Sequence, residues 1–309
     1  MKESKPLTDL PRVEDRFTYL YVEHATVGRD DGAVTLTDDS GIASMPAAML
    51  TLLMLGPGTR ITHAAMSLLA ETGTSVVWTG EMGVRCYGSA MPTSRSSRLL
   101  IKPATLASNE RGRLAAARRM YSKRFPGEDI SGLTMRALLG REGTRVRRAY
   151  EQESARTGVQ WNGRSYKVDD WDDADDINKA LTATVQCLYG VVHAAIVALG
   201  LAPGLGFVHT GEARSFVYDI ADLYRTEIAV PLAFDLVATG VDDIGTAARQ
   251  AMRDRFAETR IMGRIVNDIR SILEPDVSPL DIDDETMHIW AGRGVMLEQS
   301  VNRSPEWKR

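Results

Sequence analysis

Residues Ser89 to Ser97 read S-A-M-P-T-S-R-S-S, a small, polar, proline-containing run with the composition of a connection between compact units. The period of the apolar residues changes across it. Upstream, between Phe17 and Gly88, short β-type runs recur: T-Y-L-Y-V-E-H-A-T-V, A-V-T-L-T, M-L-T-L-L-M-L, S-V-V-W-T and V-R-C-Y-G. Turn signals separate them at Arg29 to Gly32 and at Asp38 to Gly41. Thr62 caps one helix that starts at His63 and ends at Gly73, and His24 falls in a strand. Downstream the period becomes 3.6, predicting helices over Leu106 to Phe125, Met135 to Ser154, Ile177 to Leu199, Phe216 to Glu227, Pro231 to Ala238 and Thr246 to Leu273. The expected class is α+β: a small N-terminal β-sheet domain with one helix (residues 1–90), a linker (91–98) and a larger all-α domain (99–275). A tail, 276–309, has two prolines and clustered acids and is either mobile or partner-binding.

With 44% hydrophobic and 25% charged residues over 309 positions, the composition is that of a folded globular protein. The most hydrophobic segment, Val185 to Ala202, is interrupted by Gln186, Tyr189, Gly190 and His193, so no membrane span is expected. The N-terminus lacks the apolar core of a secretion signal, and a cytoplasmic protein is expected. Cys86 and Cys187 cannot form a zinc site alone and read as buried thiols.

The net charge of -4 conceals an asymmetry. Arg85 to Arg148 holds fifteen Lys/Arg against four Asp/Glu, which leaves 22 basic and 37 acidic residues elsewhere, so the segment carries about +11 and the remainder about -15. Such a segment attracts a polyanion. The acidic run between Trp161 and Asp176 lacks calcium-loop spacing and reads as a solvated loop leading into the Ile177 helix.

Chemistry concentrates between Gly204 and Arg225, G-L-G-F-V-H-T-G-E-A-R-S-F-V-Y-D-I-A-D-L-Y-R. A glycine-interrupted turn delivers His209, and Ser215, as N-cap, opens a helix that places Asp219 and Asp222 on one flank opposite Phe216, Val217, Ile220, Leu223 and Tyr224. That flank is either a solvated face or part of a site. In the Met135 to Ser154 helix, Glu142 falls within the apolar stripe of Leu138, Leu139, Val146 and Ala149, away from Arg141, Arg145 and Arg148. A carboxylate there must be exposed by local geometry, neutralised, paired with Arg145 one turn on, or bound to a metal. Glu142, His209, Asp219 and Asp222 together make a mixed oxygen and nitrogen set suited to Mg²⁺ or Mn²⁺ and poor for zinc. Beside an arginine-rich segment, the substrate expected for such a set is a phosphodiester backbone.

The string L-G-R-E-G-T-R-V-R, the helix I-N-K-A-L-T-A-T-V-Q-C-L-Y-G, the loop G-F-V-H-T-G and the helix S-F-V-Y-D-I-A-D-L-Y-R occur in the order and spacing of a known family. With L-G-P-G-T-R-I-T-H-A-A and G-V-R-C-Y-G, they make the chain, from about Arg16 to Leu273, resemble the CRISPR-associated adaptation integrase, the first and most universal Cas protein, in the E subtype of type I systems. The resemblance implies a metal site of Glu142, His209 and Asp222, with Asp219 a ligand or close supporting carboxylate, all four counted as catalytic. It also implies Arg85 and Tyr189 near the active site or its DNA channel, although Tyr189 reads equally as a core aromatic; Arg145 and Arg148 are further candidates for contact with DNA. The implied activity is metal-dependent DNA cleavage and strand transfer. The fragments inserted into a CRISPR array would be double-stranded DNA. A β-sandwich-like N-terminal domain would form a homodimer, and a dimer of the second CRISPR-associated adaptation protein would bridge two such homodimers. A non-catalytic nucleic-acid-binding scaffold and a hydrolase of a small phosphorylated molecule are the alternatives that the residues alone leave open.

Overall fold

The computed structural model describes residues 19–81, 85–90, 98–164, 175–275 and 288–290 of the chain. The linker at 91–97, the acidic loop at 165–174 and most of the tail lie outside the described residues. The N-terminal region runs β1 (Tyr19–Val22), β2 (Thr26–Asp30), β3 (Ala33–Asp38), β4 (Gly41–Pro46), β5 (Leu52–Leu55), β6 (Arg60–Ile61), α1 (His63–Glu71), β7 (Ser75–Thr79) and β8 (Cys86–Ala90). The helices that follow are α2 (Arg98–Ala107), α3 (Glu110–Arg124), α4 (Met135–Thr157), α5 (Asp176–Ala198), α6 (Ser215–Ala221), α7 (Val230–Ala238), α8 (Ile244–Glu258) and α9 (Ile261–Leu273). From the tail, β9 (His288–Trp290) pairs parallel with β1.

The strands form two sheets, ordered β8-β7-β5-β1-β9 and β4-β3-β2-β6. In the first, β1, β5 and β7 are parallel and β8 is antiparallel to β7. All four residues of β5 are buried, as expected of a strand covered on both faces. The alternation divides them between two cores. Leu20, Val22, Leu53, Leu55 and Val76 pack with Val27, Val34 and Leu36 of the second sheet and with Leu68 and Leu69 of α1. Tyr21, Leu52, Met54 and Val77 point the other way, into the core shared by α5, α6 and α9. Each such fully buried aliphatic side chain contributes roughly 1.5–3 kcal/mol. A direct bond from Ser75 Oγ to the Ala198 carbonyl, 3.2 Å, also joins sheet to helices.

Helix α5 lies at the centre, in contact with α6, α7, α8, α9, β7 and β8. Asp175 caps it by accepting from the Asn178 N–H at 2.9 Å, which fits the acidic lead-in expected there. It is long and apolar enough to cross a membrane, but 72% of the relevant window is buried within the protein, so packing accounts for its composition.

Several boundaries differ from the sequence expectation. The first strand run is broken at His24, which adopts φ 53° in a turn. The helix expected over Leu106 to Phe125 starts afresh at Glu110, because the Asn109 side chain accepts from the Gly112 N–H as an N-cap. The last long helix divides at Arg260, φ 50°. Thr62 does cap α1, accepting from the Ala65 N–H at 3.2 Å.

Candidate active site and its basic surroundings

Gly206 fixes the loop that carries His209. A Cβ on Gly206 would lie 2.2 Å from the His209 carbonyl oxygen and 2.8 Å from Ser215 Cβ, so only glycine allows the turn to close this tightly. Ser215 is the first residue of α6 rather than its N-cap; Arg214 holds that position, and Ser215 Oγ donates to the Glu212 carbonyl at 2.9 Å. The loop is then held by Asp219, which is 1% exposed. Asp219 Oδ2 accepts the N–H groups of Phe207 and Val208, and Oδ1 accepts the His209 backbone N–H at 2.8 Å. His209 Nδ1 lies 2.8 Å from the same Oδ1. With Nδ1–H donating to Asp219, Nε2 keeps its lone pair.

Asp222 sits where α6 ends. The chain continues through turns and a π-helical segment, Arg225–Ala229, before α7, instead of the single α-helix expected to Glu227. Asp222 is 9% exposed, so the carboxylate flank of α6 faces inward and is not a solvated face. Burial pushes the Asp222 carboxyl above its ordinary range, with Glu142 adding to the rise and Arg124, Arg225 and His209 opposing it. His209 is also raised, first by its bond to Asp219.

Glu142 is presented by α4, whose N-cap is Thr134 and whose C-terminus closes on Gly158 at φ 76°. Its expected partner Arg145 is engaged elsewhere, paired with Glu128 and stacked 4.0 Å from the Phe125 ring centroid. Glu142 is held instead from α3: the Arg124 guanidinium donates to Oε1 and the Tyr121 hydroxyl to Oε2. Burial, then Glu142, drives the Tyr121 phenol far above its usual value, so it stays a neutral donor. Leu139, expected in the apolar stripe, is 46% exposed.

Tyr121, Arg124, Glu142, His209, Asp219 and Asp222, with Met120 and Val208, line one small cavity of about 10 Å³, room for roughly one water-sized occupant. Residues on α3, α4, the 204–214 loop and α6 thus converge on a single point. Among the described residues, no three His, Cys, Asp or Glu side chains stand already arranged around a cation, and Glu142 is turned to Arg124 and Tyr121. By donor type the set of Glu142, Asp222 and His209, two carboxylates and one imidazole nitrogen, fits a hard divalent ion. Asp219, with four bonds, is committed to positioning the loop.

The remaining candidates lie in two larger cavities. Arg85 and Tyr189 line one of about 530 Å³ with Arg214, Arg249 and His193. Tyr189 packs against the helical core and against Tyr218, ring centroids 5.0 Å apart, as the core-aromatic reading expects. Cys86 and Cys187, free thiols raised by burial to about 11 and about 12, form part of the same wall. Arg145 and Arg148 line another cavity, of about 400 Å³, with Arg124, Gln152 and Thr226. Arg124, Tyr121, Arg225, Arg214 and Arg249 were not singled out from the sequence. Their place in the folded chain, lining a cavity or pairing with a site carboxylate, sets them apart from a crowd of similar residues, and no spacing marks it.

The family model described as CRISPR associated protein Cas1 matches residues 18–127 and 128–245. The chain belongs to the Cas1 family. A relative from Clostridium sp. (strain SY8519), the CRISPR-associated endonuclease Cas1, is 46% identical over 96% of this chain and 99% of its own length. The Escherichia coli (strain K12) Cas1 endonuclease is 39% identical over 89% of this chain and 92% of its own. Among solved structures, the TtCas1–DNA complex superposes with a TM-score of 0.80 at 44% identity, covering 86% of this chain and 99% of that one. The mixed architecture, an N-terminal β-sheet region followed by a helical region, is therefore that of Cas1.

Proposed function

We infer that this Cas1 family member is a divalent-metal-dependent DNA endonuclease and integrase of CRISPR adaptation, inserting DNA fragments as new spacers. The observation that carries the reading is the convergence of Glu142, His209 and Asp222 on one cleft beside arginine-lined cavities. A bound Mg²⁺ or Mn²⁺ would supply Lewis-acid stabilisation of charge developing on a phosphoryl oxygen. Glu142, Asp222 and His209 would hold that ion, while Asp219 fixes the imidazole tautomer and the loop. The arginines neutralise phosphates along the duplex and keep the scissile bond in register. A 3′-hydroxyl of incoming DNA attacks the repeat-end phosphorus and gives up its proton to solvent; the new P–O bond forms as the bond to the leaving 3′-oxygen breaks, and that oxygen takes a proton from solvent in return. Water in place of the hydroxyl gives hydrolysis.

The finer reading assigns the chain to the E subtype of type I systems and places it in the cytoplasm. Two homodimers, each joined through the sheet region and its β-sandwich-like packing, are bridged by a dimer of the second adaptation protein. Support for DNA as substrate comes from the TtCas1 relative solved with DNA and from the basic cavities. The test is strand joining of a labelled duplex into a repeat-bearing plasmid. Joining is expected in Mg²⁺ or Mn²⁺, with loss in Glu142→Gln, His209→Ala or Asp222→Ala while duplex binding persists. Binding with no joining under any condition, and equal behaviour in chelator, would favour a scaffold in which Arg124 and Glu142 only balance each other.

A further inference from the structure

Both oxygens of Glu142 are occupied, and the two donors differ in kind. The Tyr121 hydroxyl is neutral and rotates. Arg124 is a positively charged guanidinium, 9% exposed at its side chain, with donors and no acceptor to offer a cation. A divalent ion ligated by Glu142 therefore meets a guanidinium already on the carboxylate it needs. Arg124 also has somewhere to go: among the described residues it alone lines both the small carboxylate cavity and the 400 Å³ cavity of Arg145, Arg148, Gln152 and Thr226. The Phe125 ring lines the larger cavity, with Arg124 Cζ 5.8 Å from its centroid and Arg145 Cζ at 4.0 Å. A guanidinium leaving Glu142 can keep that aromatic contact while turning toward the second cavity.

We propose that Arg124 is a counter-cation for Glu142 that metal displaces, and that on release it joins Arg145 and Arg148 as a phosphate-contacting group. Two guanidiniums over one ring repel until a phosphate lies between them, so metal loading and DNA binding favour each other through this residue. Arg124 is in this sense a positioning residue, and the proposal rests on the metal-site reading above.

The test is Mn²⁺ affinity of the full chain without DNA, by calorimetry and by metal-dependent shift of the melting temperature. Arg124→Gln is expected to bind Mn²⁺ about tenfold more tightly than the parent, because the competitor is gone. Arg124→Lys, which keeps the charge without the planar fork, is expected to fall between them and serves if the glutamine variant does not fold. Duplex binding is read alongside: in chelator the parent and Arg124→Gln should bind equally, whereas added Mn²⁺ should tighten the parent more, with a salt slope steeper by about one phosphate contact. Unchanged or weaker Mn²⁺ affinity in both Arg124 variants, with Glu142→Gln abolishing binding, would overturn this proposal and leave the metal site standing. Parent-like Mn²⁺ binding in Glu142→Gln would overturn the site reading and this proposal with it.

Discussion

Asp219 holds His209 twice, accepting both its backbone N–H and its ring Nδ1–H at 2.8 Å through a single oxygen. The other oxygen takes the N–H groups of Phe207 and Val208. The carboxylate is therefore a template for the loop. Asp219→Ala leaves three buried or half-buried backbone donors without their acceptor and should cost about 3 kcal/mol or more, read by urea denaturation. Asp219→Asn, which retains one acceptor oxygen, should cost less. In both, the His209 imidazole pKa measured by NMR should fall back toward its ordinary value.

Gly206→Ala tests the same loop from the backbone side. The added methyl collides with the His209 carbonyl and Ser215 Cβ, neither of which is the far end of a flexible chain. A loss of about 1–3 kcal/mol is expected, together with weaker Mn²⁺ binding because His209 is displaced. Undiminished stability would mean the turn is looser than its contacts imply.

Asp222→Asn should stabilise the metal-free chain while removing its response to metal. The buried carboxylate is raised in pKa, so ionising it at neutral pH opposes folding, and an amide of the same shape removes that opposition. A gain of about 1 kcal/mol is expected from denaturant midpoints, with the Mn²⁺-induced rise in melting temperature lost.

The pH dependence should run in opposite directions with and without metal. His209 and Asp222 both have folded-state values above their ordinary ones, 6.5 and 3.8. Stability from a raised group is complete below its unfolded value and is lost as pH rises through the folded one. The metal-free chain should accordingly lose the His209 contribution as pH rises through a value above 6.5. Metal needs both groups deprotonated, so the Mn²⁺-induced shift in melting temperature should grow over the same interval. Parallel profiles in a pH series of thermal melts would refute the assignment of these ligands.

Much of this was legible in the residues. The change of period around Ser89 to Ser97 falls between β8 and α2, with only α1 before it and β9 after it out of place among the described residues, and Met135–Thr157 and Asp176–Ala198 lie within a few residues of the patterns that predict them. What escaped is what a pattern cannot carry. His24 and Arg260 take positive φ without being glycine, breaking a strand run and a helix that periodicity shows as continuous. β4, with no fully buried residue, gave no alternation to detect. At the site, Glu142 was conspicuous as a charge on an apolar stripe, but its partner was not: Arg124 is one of fifteen basic residues between Arg85 and Arg148. Only tertiary geometry distinguishes it.

Because Leu52 and Met54 belong to one core and Leu53 and Leu55 to the other, the strand they form cannot be assigned to either half of the molecule. Cutting the chain after Ala90 would remove Tyr21, Leu52, Met54 and Val77 from the core that they share with α5, and expose apolar surface of the helices to solvent. The helical fragment prepared by itself should be sticky and poorly folded. Heating the intact chain should give a single calorimetric transition in which both halves melt together.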